Sequence, residues 1–311
     1  MHQGETMRTI GPWRALDGGY GATVAVAGAY TVAAQLGYLT VWAGQRLVAH
    51  VTAQASAPGR PRIVQDRLAK DKVYWGPGVL DLASGRLALL ASLAAETTGT
   101  VVPRGVGISP QGYSTATYAW SPDGSMVAVT AQHASGPHPP TASAVVRDNA
   151  GQLLATLWEC PDIAPRAAWV GRTLVVIGTR QPGVFRRNGS RVVELDGATP
   201  PVRIEASSDE TRLLMVEHTR LTLWDTATWA PVGIADGQWL DAALAPDGQL
   251  VIAVDFAGTL HTLDGTLASG PPLPAPGAAL GGALGVALDD SRVVAAFPGE
   301  VHTAPLAILS R

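Results

Sequence analysis

Cysteine occurs once, at Cys160, so the chain cannot staple itself with an internal disulfide. Charge is also sparse: Asp, Glu, Lys and Arg make up 15% of the residues and the net charge is −3. The Lys and Arg residues read as scattered, which argues against a nucleic-acid partner, because phosphate binding needs a concentrated basic stripe. No apolar run approaches the roughly 20 residues of a membrane-spanning helix, so no membrane partner is expected. Met1 to Ile10 has no apolar core like that of a secretory signal, which sets the expected compartment as the cytoplasm. Nucleophile and phosphate motifs are missing as well. Gly107-Ile108-Ser109-Pro110-Gln111-Gly112 has the wrong spacing for a nucleophile elbow, and the glycines of Gly277 to Gly285 lead to no Lys-Ser/Thr pair. No composition break or charged linker divides residues 1–311, which are read as one domain.

What the chain has in quantity is apolar residues punctuated by turn formers: 35 glycines and 23 prolines, a makeup suited to many short strands. The stretch Leu221 to Asp264 shows the grammar most clearly. In Ala245-Pro246-Asp247-Gly248, proline presets φ, aspartate bonds the following backbone and glycine takes the left-handed conformation that closes a hairpin. The same turn stands at Ser121-Pro122-Asp123-Gly124. Further hairpins pair Thr23–Val26 with Tyr30–Leu36, Ile63–Leu68 with Lys72–Trp75 and Ala167–Val170 with Thr173–Ile177. Val202–Ala206 with Arg212–Val216 and Leu284–Leu288 with Arg292–Phe297 follow. The second strands are apolar almost without alternation, as expected of strands covered on both faces. The hairpins recur at about 40 to 45 residues, the period of a four-stranded propeller blade.

Leu223-Trp224-Asp225 and the Ser/Ala-Pro-Asp-Gly turns resemble WD40 and WD40-like repeats, in a degenerate form of bacterial type. The Gly-His dipeptide of those repeats is missing and Trp-Asp occurs once. The expected fold class is therefore all-β: a seven-bladed β-propeller of four-stranded antiparallel blades. Its last blade, from Gly285 onward, is one strand short. Residues 8–17 have no place in the first blade and are predicted to supply the missing strand, closing the ring.

Antiparallel strand order sends the second-to-third-strand turns and the blade-to-blade crossings to one face and the remaining turns to the other. Four long segments are expected on the first face: Thr52–Pro61, Ala95–Ala116, Ala131–Thr141 and Ala268–Ala279. Loops on a rigid scaffold carry binding, so that face is the candidate site, with Trp75, Arg104, Tyr113, His133, His138, Glu217, His218, Trp239 and Asp255 as partner-binding residues. The competing reading of Trp75 and Trp239 is that they cover the ends of the core. The expected function is a non-enzymatic scaffold for an unidentified protein partner, acting as a monomer or within a hetero-complex, with no cofactor, metal or catalytic residue. A metal-dependent propeller lactonase or hydrolase, with His133, His138, Glu217, His218 and Asp255 converging over the channel, is the alternative, and a small-molecule sensor is a third.

Overall fold

The computed structural model describes residues 6–16, 23–35, 38–52, 62–64, 71–75, 77–89, 113–134, 141–160, 166–178, 182–196, 199–273 and 282–310. Within them the regular structure is all strand, arranged as seven antiparallel sheets. Each sheet is a blade, and from the third blade round through the seventh and first to the second the first strands touch in succession, so these strands line the central channel. The inner strands are Thr23–Ala27, Arg62–Val64, Tyr113–Trp120, Arg166–Val170, Arg203–Ala206, Trp239–Leu244 and Gly285–Leu288. The seven-bladed propeller expected from the repeat period is the fold observed.

The core is divided among the seven junctions between blades, and the all-apolar second strands explain how. In Leu250–Asp255, Val251 and Ala253 pack toward blade five, whereas Ile252 and Val254 pack toward blade seven. Alternate residues of one strand thus serve two neighbours, so the polar alternation of a half-exposed strand disappears. Each such Val or Ile contributes about 1.5 to 3 kcal/mol at full burial. Trp224 of the single Trp-Asp pair is 3% exposed in the junction of blades four and five.

Ring closure follows the expected plan with two adjustments. The last blade's third strand is long, Glu300–Ser310, and two pieces of the N-terminal segment line up against it. Thr6–Ile10 pairs with Leu306–Ser310, and Arg14–Ala15 pairs with Thr303 and His302. The outer strand therefore starts two residues earlier than predicted and is interrupted at Gly11-Pro12-Trp13, where proline lacks the amide a continuous ladder needs. The flanking amides still bond the same strand, Gly11 to the Pro305 carbonyl at 2.8 Å and Leu16 to the Val301 carbonyl at 2.8 Å. Leu16 is buried between blades seven and one, and Trp13 stands edge-on to Phe297 at 6.5 Å.

Three long segments are partly strand. Tyr113–Ala116 pairs with Ala131–Ala134 inside blade three, and Ser269–Leu273 is the outer strand of blade six. The expectation that these residues form loops is corrected. Their sequences, rich in Ser, Thr, Ala and Pro, carry little β signal, yet Pro271 and Pro272 sit on an outer strand that has a neighbour on one side only.

Candidate interaction face

The two ends of the ring differ in chemistry. At the turn rim, where first-to-second and third-to-fourth strand links emerge, short turns are closed by their own aspartates. Asp123 accepts the Ser125 amide at 3.1 Å and the Ser121 hydroxyl at 2.7 Å. Asp209 and Asp264 do the same for Thr211 and Thr266. Burial alone would raise these three carboxyls, but the hydrogen bonds outweigh it and hold all three below the ordinary value. Gly124 and Gly248 have φ of +68°, the left-handed positions expected of the Pro-Asp-Gly turns.

At the opposite, crossing rim, four of the candidates gather where blade five meets blade six. Glu217 and His218 form the second-to-third-strand turn of blade five, Trp239 opens the inner strand of blade six and Asp255 ends its second strand. Main-chain bonds tie them together: the Trp239 amide to the His218 carbonyl at 3.0 Å, and the Phe256 amide to the Gln238 carbonyl at 3.1 Å.

Their side chains have separate tasks. Glu217 is 1% exposed, and its Oε1 accepts the Thr199 amide at 3.0 Å, fixing the crossing from blade four to blade five. Asp255 receives the Thr259 amide at 2.8 Å on Oδ1 and lies 2.8 Å from His261 Nε2 through Oδ2. Burial would raise its carboxyl, but the His261 bond and the amide bonds hold it below its ordinary value. Trp239 is buried, donates Nε1–H to the Ala235 carbonyl at 3.2 Å and stands edge-on to His261 at 5.6 Å. His218 alone among these four is exposed, with its ring 5.4 Å from that of Phe256, which is 50% exposed.

Trp75 is 3% exposed in the junction of blades one and two, so the core-covering reading describes both tryptophans, and neither offers a partner an open ring surface. The main chains of Tyr113 and His133 lie in blade three, paired with Ala134 and Ser114, but their side chains fall outside the described residues, as do Arg104 and His138 altogether. Among the described residues no group of three or more His, Cys, Asp or Glu side chains could hold a metal ion.

Sequence reasoning missed Phe256 and His261. Phe256 had a signal, being one of three phenylalanines and placed in a glycine-containing second-to-third-strand turn. It also missed the channel wall, where Arg203 Nη1 meets Asp241 Oδ1 at 2.5 Å and Nη2 meets Glu205. Asp241 Oδ2 accepts the Val286 amide at 2.9 Å, so one ionic group joins the inner strands of blades five, six and seven. Burial pushes the Glu205 carboxyl up, Arg203 opposes this and the Asp241 charge adds to it.

No protein-family model and no curated protein sequence matches the chain. Among solved structures, a chain of the crystal structure of the mitotic checkpoint complex superposes with a TM-score of 0.61 at 13% identity, covering 97% of this chain and 95% of that one. At that identity the likeness is one of fold.

Proposed function

We propose that this propeller is a non-enzymatic scaffold that holds a protein partner against its crossing rim, with Phe256 and His218 as the contact between blades five and six. The observation that carries the reading is an exposed aromatic pair seated on a rigid junction: Phe256 is 50% exposed, and main-chain bonds fix the turns on which both residues stand. An aromatic ring held in place this way costs little ordering entropy on binding, which is what makes such residues anchors. The buried Trp239 and Glu217 and the partly buried Asp255 position the pair and do not touch the partner. The structural neighbour belongs to a multi-protein complex, which is in keeping with partner binding. The scaffold is proposed to act in the cytoplasm, alone or within a hetero-complex.

The test places a photo-crosslinking amino acid at position 256 and, as a control, at Leu47 on the outer strand of blade one. The expected result is a discrete crosslinked protein from position 256 only, lost on His218→Ala, with the melting temperature of Phe256→Ala within about 0.5 kcal/mol equivalent of the parent. A crosslinked protein from Leu47 and none from position 256 would overturn the assignment of the partner to the crossing rim.

A further inference from the structure

The arginines that read as scattered along the sequence are concentrated in space. Blade four, Arg166 to Glu194, carries six arginines against one glutamate in a chain whose net charge is −3. Three of them meet at the turn rim. Arg172 lies in the link between the first two strands, Arg186 ends the third strand and Arg187 begins the hairpin to the fourth. The Arg187 amide donates to the Thr173 carbonyl at 3.0 Å, and Arg186 is the register partner of Leu174, so these residues share one corner of the blade. All three are exposed.

Their charges are incompletely used. Arg191, nearby on the outer strand, ion-pairs with Glu194 at 3.0 Å and lies over the Phe185 ring at 5.9 Å. Arg172 reaches Asp123 at 3.5 Å but keeps 71% of its side chain exposed. Arg186 and Arg187 pair with no carboxylate among the described residues. We propose that this corner is a docking surface for a short acidic polypeptide segment, distinct from the crossing rim.

The extent of the patch selects the partner. Asp123 of blade three lies on one side, 3.5 Å from Arg172, and Glu210 of blade five on the other. Glu210 sits so close to blade four that a Cβ on Gly171 would fall 2.3 Å from its Oε2. A nucleic-acid strand or an anionic membrane extends beyond one blade and would be repelled by these carboxylates. An extended peptide presents alternate side chains about 6.8 Å apart on one face, so two or three Asp or Glu residues span the corner. Each guanidinium offers a fork of donors that matches a carboxylate in two bonds.

The experiment is fluorescence polarisation of the full chain with a labelled peptide of alternating Glu and Ser, and with its Gln-for-Glu counterpart. The Glu peptide should bind and weaken with added salt, and the Gln peptide should not bind. The doubles R186E/R187E and R186Q/R187Q should retain the parent melting temperature, and charge reversal should cost about tenfold in affinity or more. Phe256→Ala should leave this binding unchanged, which separates the proposal from the crossing-rim reading. Equal binding of the Gln peptide, unchanged affinity of both doubles, or tighter binding of a single-stranded oligonucleotide or phosphatidylserine vesicles would each overturn it.

Discussion

Aspartate stands at both rims of the ring but works in different company. At the turn rim Asp123, Asp209 and Asp264 each close a turn of a few residues, taking bonds from amides and hydroxyls two residues on. That rim is also stitched from blade to blade: the Asp209 amide reaches the Pro246 carbonyl at 3.1 Å, and Arg292 reaches the Gly28 carbonyl at 2.6 Å. At the crossing rim Asp255 closes its turn too, but spends its second oxygen on His261, whose ring supports Trp239. The hydrogen bonds there hold an interior in place and leave Phe256 and His218 outside. The turn rim thus consumes its polar groups in the architecture, except at the arginine corner of blade four. The crossing rim uses them to mount an aromatic pair.

The comparison is broken most severely by removing the strand that runs along the last blade between the rims. Deleting residues 1–17 takes away Ile10, Trp13 and Leu16, worth roughly 1.5 to 3 kcal/mol each at full burial and less for the two that are half-buried. It also bares the edge of Glu300–Ser310. The total is a large part of the roughly 5 to 15 kcal/mol that stabilises a typical domain. An insoluble product, or one without a cooperative calorimetric transition, is expected, and a soluble, cooperatively melting product would contradict this closure.

A smaller effect separates turns that knit blades from turns that only reverse the chain. Gly124→Val and Gly248→Val force a branched side chain into φ of +68°. A Cβ at these positions would also lie 2.4 Å from Tyr74 Oη and from Arg212 Cγ. Gly44, with φ of +60°, has open space around that Cβ position. Urea midpoints should place the first two substitutions beyond the roughly 1 to 3 kcal/mol of backbone strain, and Gly44→Val within it. Equal losses at all three would show that neighbouring blades yield freely at the turn rim.

The mildest perturbation is pH. Asp123, Asp209, Asp255 and Asp264 are held below their ordinary carboxyl values in the folded state, so the unfolded chain takes up protons first as the pH falls. Their contribution is fully present above the unfolded carboxyl value of about 4 and is lost as the pH drops through the lower folded values. Melting temperatures should be level from neutrality to about pH 5 with respect to these groups and then decline. Asp264→Asn should flatten part of that decline.

The repeat was legible because its determinants are local: Pro-Asp-Gly fixes a turn, and an unbroken apolar run marks a strand between two blades. Ser269–Leu273 escaped because proline ordinarily argues against a strand, and its place at an outer edge is a fact of sheet order. The site was less legible. Trp75 and Trp239 were visible as tryptophans, but whether such a ring faces a partner or the core depends on a neighbouring blade. Arg203 and Asp241, 38 residues apart, occupy the same place in successive inner strands, three residues before each strand's end. Stacking the repeats in register would have revealed that pair. The arginine corner joins residues of two turns within one blade and required the fold to place them side by side.

Time enters through the closing strand. Thr6 finds its register partner at Ser310, so this strand leaves the ribosome about 300 residues before its partner is made. Blades one to six can condense in order against the neighbour just completed, as repeats do. The seventh requires the strand Thr6–Ile10 to return. Closing a loop of some 300 residues costs about 4 kcal/mol more in chain entropy than closing a four-residue hairpin. Until that happens Ile10, Trp13 and Leu16 remain without their seats beside Phe297, Leu306 and Val301. During synthesis the nascent chain therefore carries an adhesive segment for the whole interval, and closure is the step at which self-association competes with folding.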